Sequence, residues 1–115
     1  MTPRLQAWPI RLSAAAEADI QGILDWTLEQ FGEQQAHIYT GTLSEALESL
    51  ATGPKVIGVK KRNDIARGLF TLHVARHGRK GRHFIMFRTG QDKNRKTIEI
   101  LRLLHDAMDL ARHVP

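Results

Sequence analysis

The chain has 115 residues, 42% of them apolar and 25% charged, with a net charge of +5 and no cysteine. This length suits a single domain over residues 1–115 with a modest core, and the apolar share excludes a disordered chain. Without cysteine there is no disulfide framework, thiolate metal site or thiol nucleophile, which fits a reducing cytosol.

Charge is unevenly distributed. Residues 1–54 carry two basic and seven acidic side chains, residues 55–102 fourteen basic and three acidic, and residues 103–115 one basic and two acidic. So local a basic excess points to an acidic or polyanionic partner for the second half. The opening "MTPRLQAWPIRLS" lacks the apolar h-region of a signal peptide, and no apolar run approaches the ~20 residues of a membrane span. The expected location is the cytoplasm, with no membrane contact.

In chain order, "WPIRLS" alternates Trp8, Ile10 and Leu12 with Pro9 and Arg11, the period of a short strand. Pro9 cannot donate to a ladder, which places this strand at an edge. Ser13 offers an N-cap to a helix whose apolar face is Ile20, Ile23, Leu24, Thr27, Leu28 and Phe31. Gly32 is a natural stop. A second helix with Ala36, Tyr39, Leu43, Leu47 and Leu50 on its buried side runs to Gly53–Pro54. Two helices joined through one glycine must fold back as a hairpin.

The period then becomes two. "KVIGVKKRND" reads as a loop or short strand, "GLFTLHVAR", "RHFIMFRT" and "TIEILRLL" as strands, and "GRKG" and "GQDKNRK" as turns. Three consecutive strands with short polar turns form an antiparallel meander. The fold class is α+β: an N-terminal strand, a helical hairpin on a small twisted antiparallel sheet, and a short C-terminal helical turn. Alternation sets Leu69, Thr71 and His73 against Phe70, Leu72 and Val74, Phe84 and Met86 against Ile85 and Phe87, and Ile98 and Ile100 against Leu101 and Leu103. Such strands need cover on both faces, and one hairpin covers only one. The other falls to the terminal segment, a second copy or a foreign chain. In "HDAMDLARHV", Met108 and Leu110 or Val114 are expected to face the core at the sheet edge, with Arg112 and His113 outward.

The order strand, helical hairpin, meander resembles the RelE/ParE toxin superfamily, and within it ParE. The resemblance rests on "RLSAAAEADIQGILDW" and on "ILRLLHDAMDLARHV". The second contributes Leu101, Arg102, Leu104, His105, Met108, Asp109, Arg112 and His113 as family-motif positions. Where family members usually have tyrosines in "RHFIMFR", this chain has His83, Phe84 and Phe87. The resemblance implies a toxin that inhibits DNA gyrase, blocks replication and is neutralised in a hetero-oligomer with a cognate antitoxin. Antitoxins of this class read the operator themselves, so no direct reading of nucleic acid is expected of this chain.

The basic half supplies the candidate target-binding residues: Lys60, Lys61, Arg62, Arg67, Arg76, Arg79, Lys80 and Arg82. The alternative is a RelE-like ribosome-dependent mRNA endoribonuclease, which needs an acid, a base and a cation for the phosphorane. His83 and His105 would then be the acid–base pair, with Arg88 as the cation and His113 as a third histidine. Against it, the one tyrosine is Tyr39, whereas RelE-type enzymes generally carry an aromatic hydroxyl in the C-terminal tail. A basic nucleic-acid-binding module ranks last, because the cations fall on strands and turns rather than on a recognition helix. No metal or cofactor is expected: His73 and His77 on a strand would lie ~13 Å apart. "GRKGR" lacks the phosphate-loop spacing. Trp8 and Trp26 are expected in the core.

Overall fold

The computed structural model describes residues 7–114. Strand β1 (Ile10–Leu12) leads into the helical element α1 (Ala14–Ser49), followed by a 3-10 turn at Leu50–Thr52. Strands β2 (Lys60–Lys61), β3 (Phe70–His73), β4 (His83–Asp92) and β5 (Arg95–His105) complete one sheet of order β1-β5-β4-β3-β2. A 3-10 turn at Leu110–His113 follows. The fold is α+β, with helix packed on a small sheet.

α1 is a hairpin and not a rod. Gly32, at φ 89° and ψ 175°, breaks the helical path, a conformation that glycine adopts without penalty from a β-carbon. The ends of α1 consequently come together: the Trp8 N–H donates to the Ala51 carbonyl at 2.8 Å. Both arms pack on the same core, Ala16 from the first and Leu43, Ala46 and the following Leu50 from the second. Ser13 caps the start through the Ala16 N–H, and its hydroxyl donates to the Leu101 carbonyl at 2.8 Å. The cap residue thus also ties α1 to β5.

Among the described residues β1 pairs only with β5, in parallel, and the Pro9 carbonyl accepts from the Ile98 N–H. The remaining ladders are antiparallel. The meander has four strands rather than three, because Lys60–Lys61 pairs with Phe70–Thr71. The second turn is shorter than its polar composition implies. β4 and β5 extend to Asp92 and Arg95, leaving Lys93 and Asn94, both at positive φ. Such a two-residue turn matches the twist of its strands.

The two faces carry two cores. Leu72, Val74, Ile85, Phe87, Ile98, Ile100 and Leu103 pack under the hairpin, whereas Leu69, Met86 and Leu104 pack on the opposite face with Leu110. Leu103 was expected opposite Ile98 and Ile100. A bulge overturns that: Met86 pairs with Arg102 and Phe87 with Ile100, so Leu101 is the extra residue and the alternation resets after it. The second face is covered by Ile65 and Ala66 of the β2–β3 connection and by Leu110 and Val114 of the tail. The tail therefore lies beneath the sheet, not along its edge. Met108, expected inside, is 46% exposed.

Candidate partner-binding groove

The hairpin does not close over the whole sheet. Between the middle of α1 and the β3–β4 connection lies a groove of about 970 Å³. Its α1 wall holds Trp26, Phe31, Ile38, Tyr39 and Thr42, and its other wall Arg79, Lys80, Gly81, Arg82, His83 and His105. Trp26 is 57% exposed and stacks edge-to-face on Phe31, 62% exposed, at 5.6 Å. The expectation that Trp26 belongs to the core fails. Its position falls outside the run of Ile23, Leu24 and Thr27, and that offset was the signal available in the sequence.

Tyr39 and His83 are joined across the groove. The Tyr39 hydroxyl accepts from the Arg82 backbone N–H at 3.1 Å and lies 2.7 Å from His83 Nδ1. The contact holds in either tautomer: Nδ1 accepts from the hydroxyl when the ring proton is on Nε2, and donates to the hydroxyl's second lone pair when it is on Nδ1. Gly81 makes this approach possible, since a β-carbon there would sit 2.5 Å from Val74 and 3.1 Å from the Tyr39 hydroxyl. Burial first, and then the His105 ring, push His83 down to about 4, and burial raises Tyr39. His83 is a neutral hydrogen-bonding group at physiological pH.

Asp106 is the knot behind the wall. It accepts from Arg82 Nε at 3.1 Å and from His73 Nε2 at 2.9 Å, and the Arg82 bond, then that of His73, holds its carboxyl at about 2. Arg79 donates to Glu45 at 2.7 Å, and that bond, then His77, lowers the Glu45 carboxyl. The β3–β4 connection is thus anchored to α1 through Glu45 and to the tail through Asp106. Sequence reasoning assigns Glu45 no role and reads Asp106 as a cap on backbone N–H groups, whereas its side chain holds Arg82 and His73.

The fold divides the basic candidates. Arg79, Lys80 and Arg82 border the groove. Lys60, Lys61, Arg62 and Arg67 lie on the β2–β3 hairpin, with Arg62 paired to Asp64. Arg76 donates to the Ile57 carbonyl. Of the ribonuclease candidates, His83 and His105 meet edge-to-face at 5.4 Å, but Arg88 pairs with Glu99 on the outer part of the β4–β5 ladder and lines no part of the groove. Most family-motif positions hold the fold. Leu101 and Leu104 fill the second core. Arg102 forms a two-pronged pair with Asp19 at 2.7 and 2.9 Å, and Asp19 also accepts the Leu103 N–H. Asp109 caps the last turn, near which Arg112 is exposed and His113 half-buried. No group of described residues has the arrangement of a metal site, and no described helix is long and apolar enough to cross a membrane.

A small sheet with a helical hairpin on one face is the architecture the resemblance implies, whereas the groove between hairpin and sheet was not expected. A family model described as "ParE toxin of type II toxin-antitoxin system, parDE" matches residues 10–110. Toxin ParE1 of Mycobacterium tuberculosis is 31% identical over 104 residues, covering 90% of this chain and 94% of that protein. Toxin ParE1 of Caulobacter vibrioides is 28% identical over 106 residues, covering 92% and 97%. The chain belongs to the ParE toxin family of type II toxin–antitoxin systems.

The burial of His83 predicts a pH dependence of stability. His83 titrates near 4 in the fold against 6.5 as an ordinary histidine, so between these values the unfolded chain binds more protons. The stabilisation is complete above about 6.5 and is lost as pH falls toward about 4. At ~1.4 kcal/mol per unit the whole shift would be ~3 kcal/mol, reduced to ~1–2 kcal/mol because the ring is only half-buried. Asp106 titrates below this window. Urea melts at about pH 7 and pH 5 should therefore differ by most of that amount in the wild type and by much less in His83→Asn.

Proposed function

We propose that this protein is a cytoplasmic gyrase inhibitor without a nuclease centre, neutralised when a segment of its cognate antitoxin fills the groove along α1. The observation that carries the reading is the uncovered apolar wall of Trp26, Phe31 and Ile38 facing the cations Arg79, Lys80 and Arg82. An amphipathic acidic segment that orders on binding would bury the rings and pair with the cations. Membership of the ParE family supports a toxin with an antitoxin partner.

The ribonuclease alternative has one observation in its favour, the approach of His83 and His105 in the groove. Three observations weigh against it. His83 is held near 4, too low for an effective base at neutral pH. Its Nδ1 is occupied by Tyr39. Arg88 stands elsewhere.

A supercoiling assay and a ribosome-dependent cleavage assay separate the two. Loss of supercoiling, restored by antitoxin, is expected; codon-positioned mRNA cuts with normal supercoiling would overturn the gyrase reading. Reversing Arg79, Lys80 and Arg82 together is a poor probe, because Arg79 and Arg82 anchor the connection through Glu45 and Asp106. Exposed Lys80 is the cleaner site. Lys80→Glu should leave the melting curve within ~0.5 kcal/mol and weaken antitoxin binding about tenfold, read by titration calorimetry. Unchanged affinity would remove the basic rim from the interface.

A further inference from the structure

The tip of the α1 hairpin bears a patch that water does not favour. Trp26, Leu28, Phe31 and Ile38 are 46–62% exposed, all within a few residues of the Gly32 break, and three of them line the groove. Trp26 and Phe31, in contact with each other and both exposed, mark an interaction surface. The same tip carries exposed Asp25, Glu29 and Glu33, and the facing wall carries Lys80, in no ion pair among the described residues, beside Arg79 and Arg82, which are paired with Glu45 and Asp106. An occupant matched to the groove must therefore bring apolar rings together with acidic charge. The chain's own hairpin tip brings both.

We propose that, when no antitoxin is bound, the groove is covered by a second copy of this chain. The two hairpin tips exchange across a two-fold axis, each placing Trp26 and Phe31 in the partner's groove and Glu29 and Glu33 against the partner's basic wall. Two-fold contacts are self-complementary, so every tip-to-wall contact forms twice. The asymmetry between an acidic front half and a basic back half then becomes a pairing code between copies. Self-pairing rests on the groove's chemistry alone. If an antitoxin segment also takes the groove, the two occupants exclude each other, and antitoxin binding splits the dimer.

Sedimentation equilibrium of the purified full chain over a wide concentration range tests this. A doubling of mass with concentration is expected. Phe31→Asp should raise the dimer Kd by ~100-fold or more, since the ring is lost from both halves of the contact. The decisive form is a charge swap. Glu29→Lys with Glu33→Lys on one chain, and Lys80→Glu on another, should each weaken self-association. An equimolar mixture should form a heterodimer, because both tip-to-wall contacts regain opposite charge. Circular dichroism and melting of each variant should match the wild type. A monomer at every concentration, a dimer indifferent to these variants, or a mixture that fails to re-form the dimer would each overturn the proposal. None of these outcomes bears on gyrase inhibition, which the supercoiling assay reads separately.

Discussion

Phe87→Ala is expected to leave little folded protein at physiological temperature. Phe87 is fully buried in β4, the middle strand of the sheet, and its ring stacks on Phe70 at 5.3 Å and 17°. It sits under both arms of the hairpin with Leu72, Ile85 and Ile100. Removing a buried phenylalanine ring costs about 3–5 kcal/mol, the lost transfer energy plus the cavity left behind. The margin of a domain this size is about 5–15 kcal/mol. Urea denaturation gives the comparison directly, with Phe31→Ala as the control. Phe31 is 62% exposed, so its removal should change stability by ~0.5 kcal/mol or less. Equal effects from the two phenylalanines would contradict the division between core and groove.

Ending the chain after Ala107 is the second large effect. The cut spares His105 and Asp106 and leaves the groove wall its anchor. It removes Leu110, 8% exposed, and Val114, which with Ile65 and Ala66 cover the face made by Leu69, Met86 and Leu104. Uncovering a few hundred Å² of apolar surface at ~25 cal/mol per Å² costs several kcal/mol, although residual structure in the unfolded chain reduces that figure. A fall in melting temperature of ten degrees or more is expected, since 1 kcal/mol shifts a domain of this size by about 4–8 °C. Full stability with lost toxicity would make the tail a target-contacting element instead of a cover. The same experiment on Met108→Ala should show almost nothing, because that side chain faces water.

Local chemistry made much of the fold legible. Pro9 placed β1 at an edge, Ser13 capped α1, and Gly32 broke it where two apolar faces met. Alternation assigned Ile85 and Phe87 to one face and Phe84 and Met86 to the other. Each is a statement about neighbours a few residues apart, where a period of two or 3.6 carries the information. The need to cover a second apolar face was also readable, and the tail met it.

The sequence by itself thus determined the helical hairpin, four of the five strands, their order, the two-faced sheet and the family. Tertiary structure alone decided the rest. A single bulged residue, Leu101, moved Leu103 to the hairpin side, and no local pattern signals where a ladder slips. Asp19 and Arg102 are 83 residues apart and Glu45 and Arg79 34 apart, so neither pair could be read from spacing. The groove arises because the hairpin turns at Gly32 beside a connection pinned by Glu45 and Asp106, which brings Tyr39 to His83 and leaves Trp26 and Phe31 in the open. Packing between elements distant in sequence sets which apolar side chains are covered. Composition and periodicity count those side chains but do not bring their partners to them.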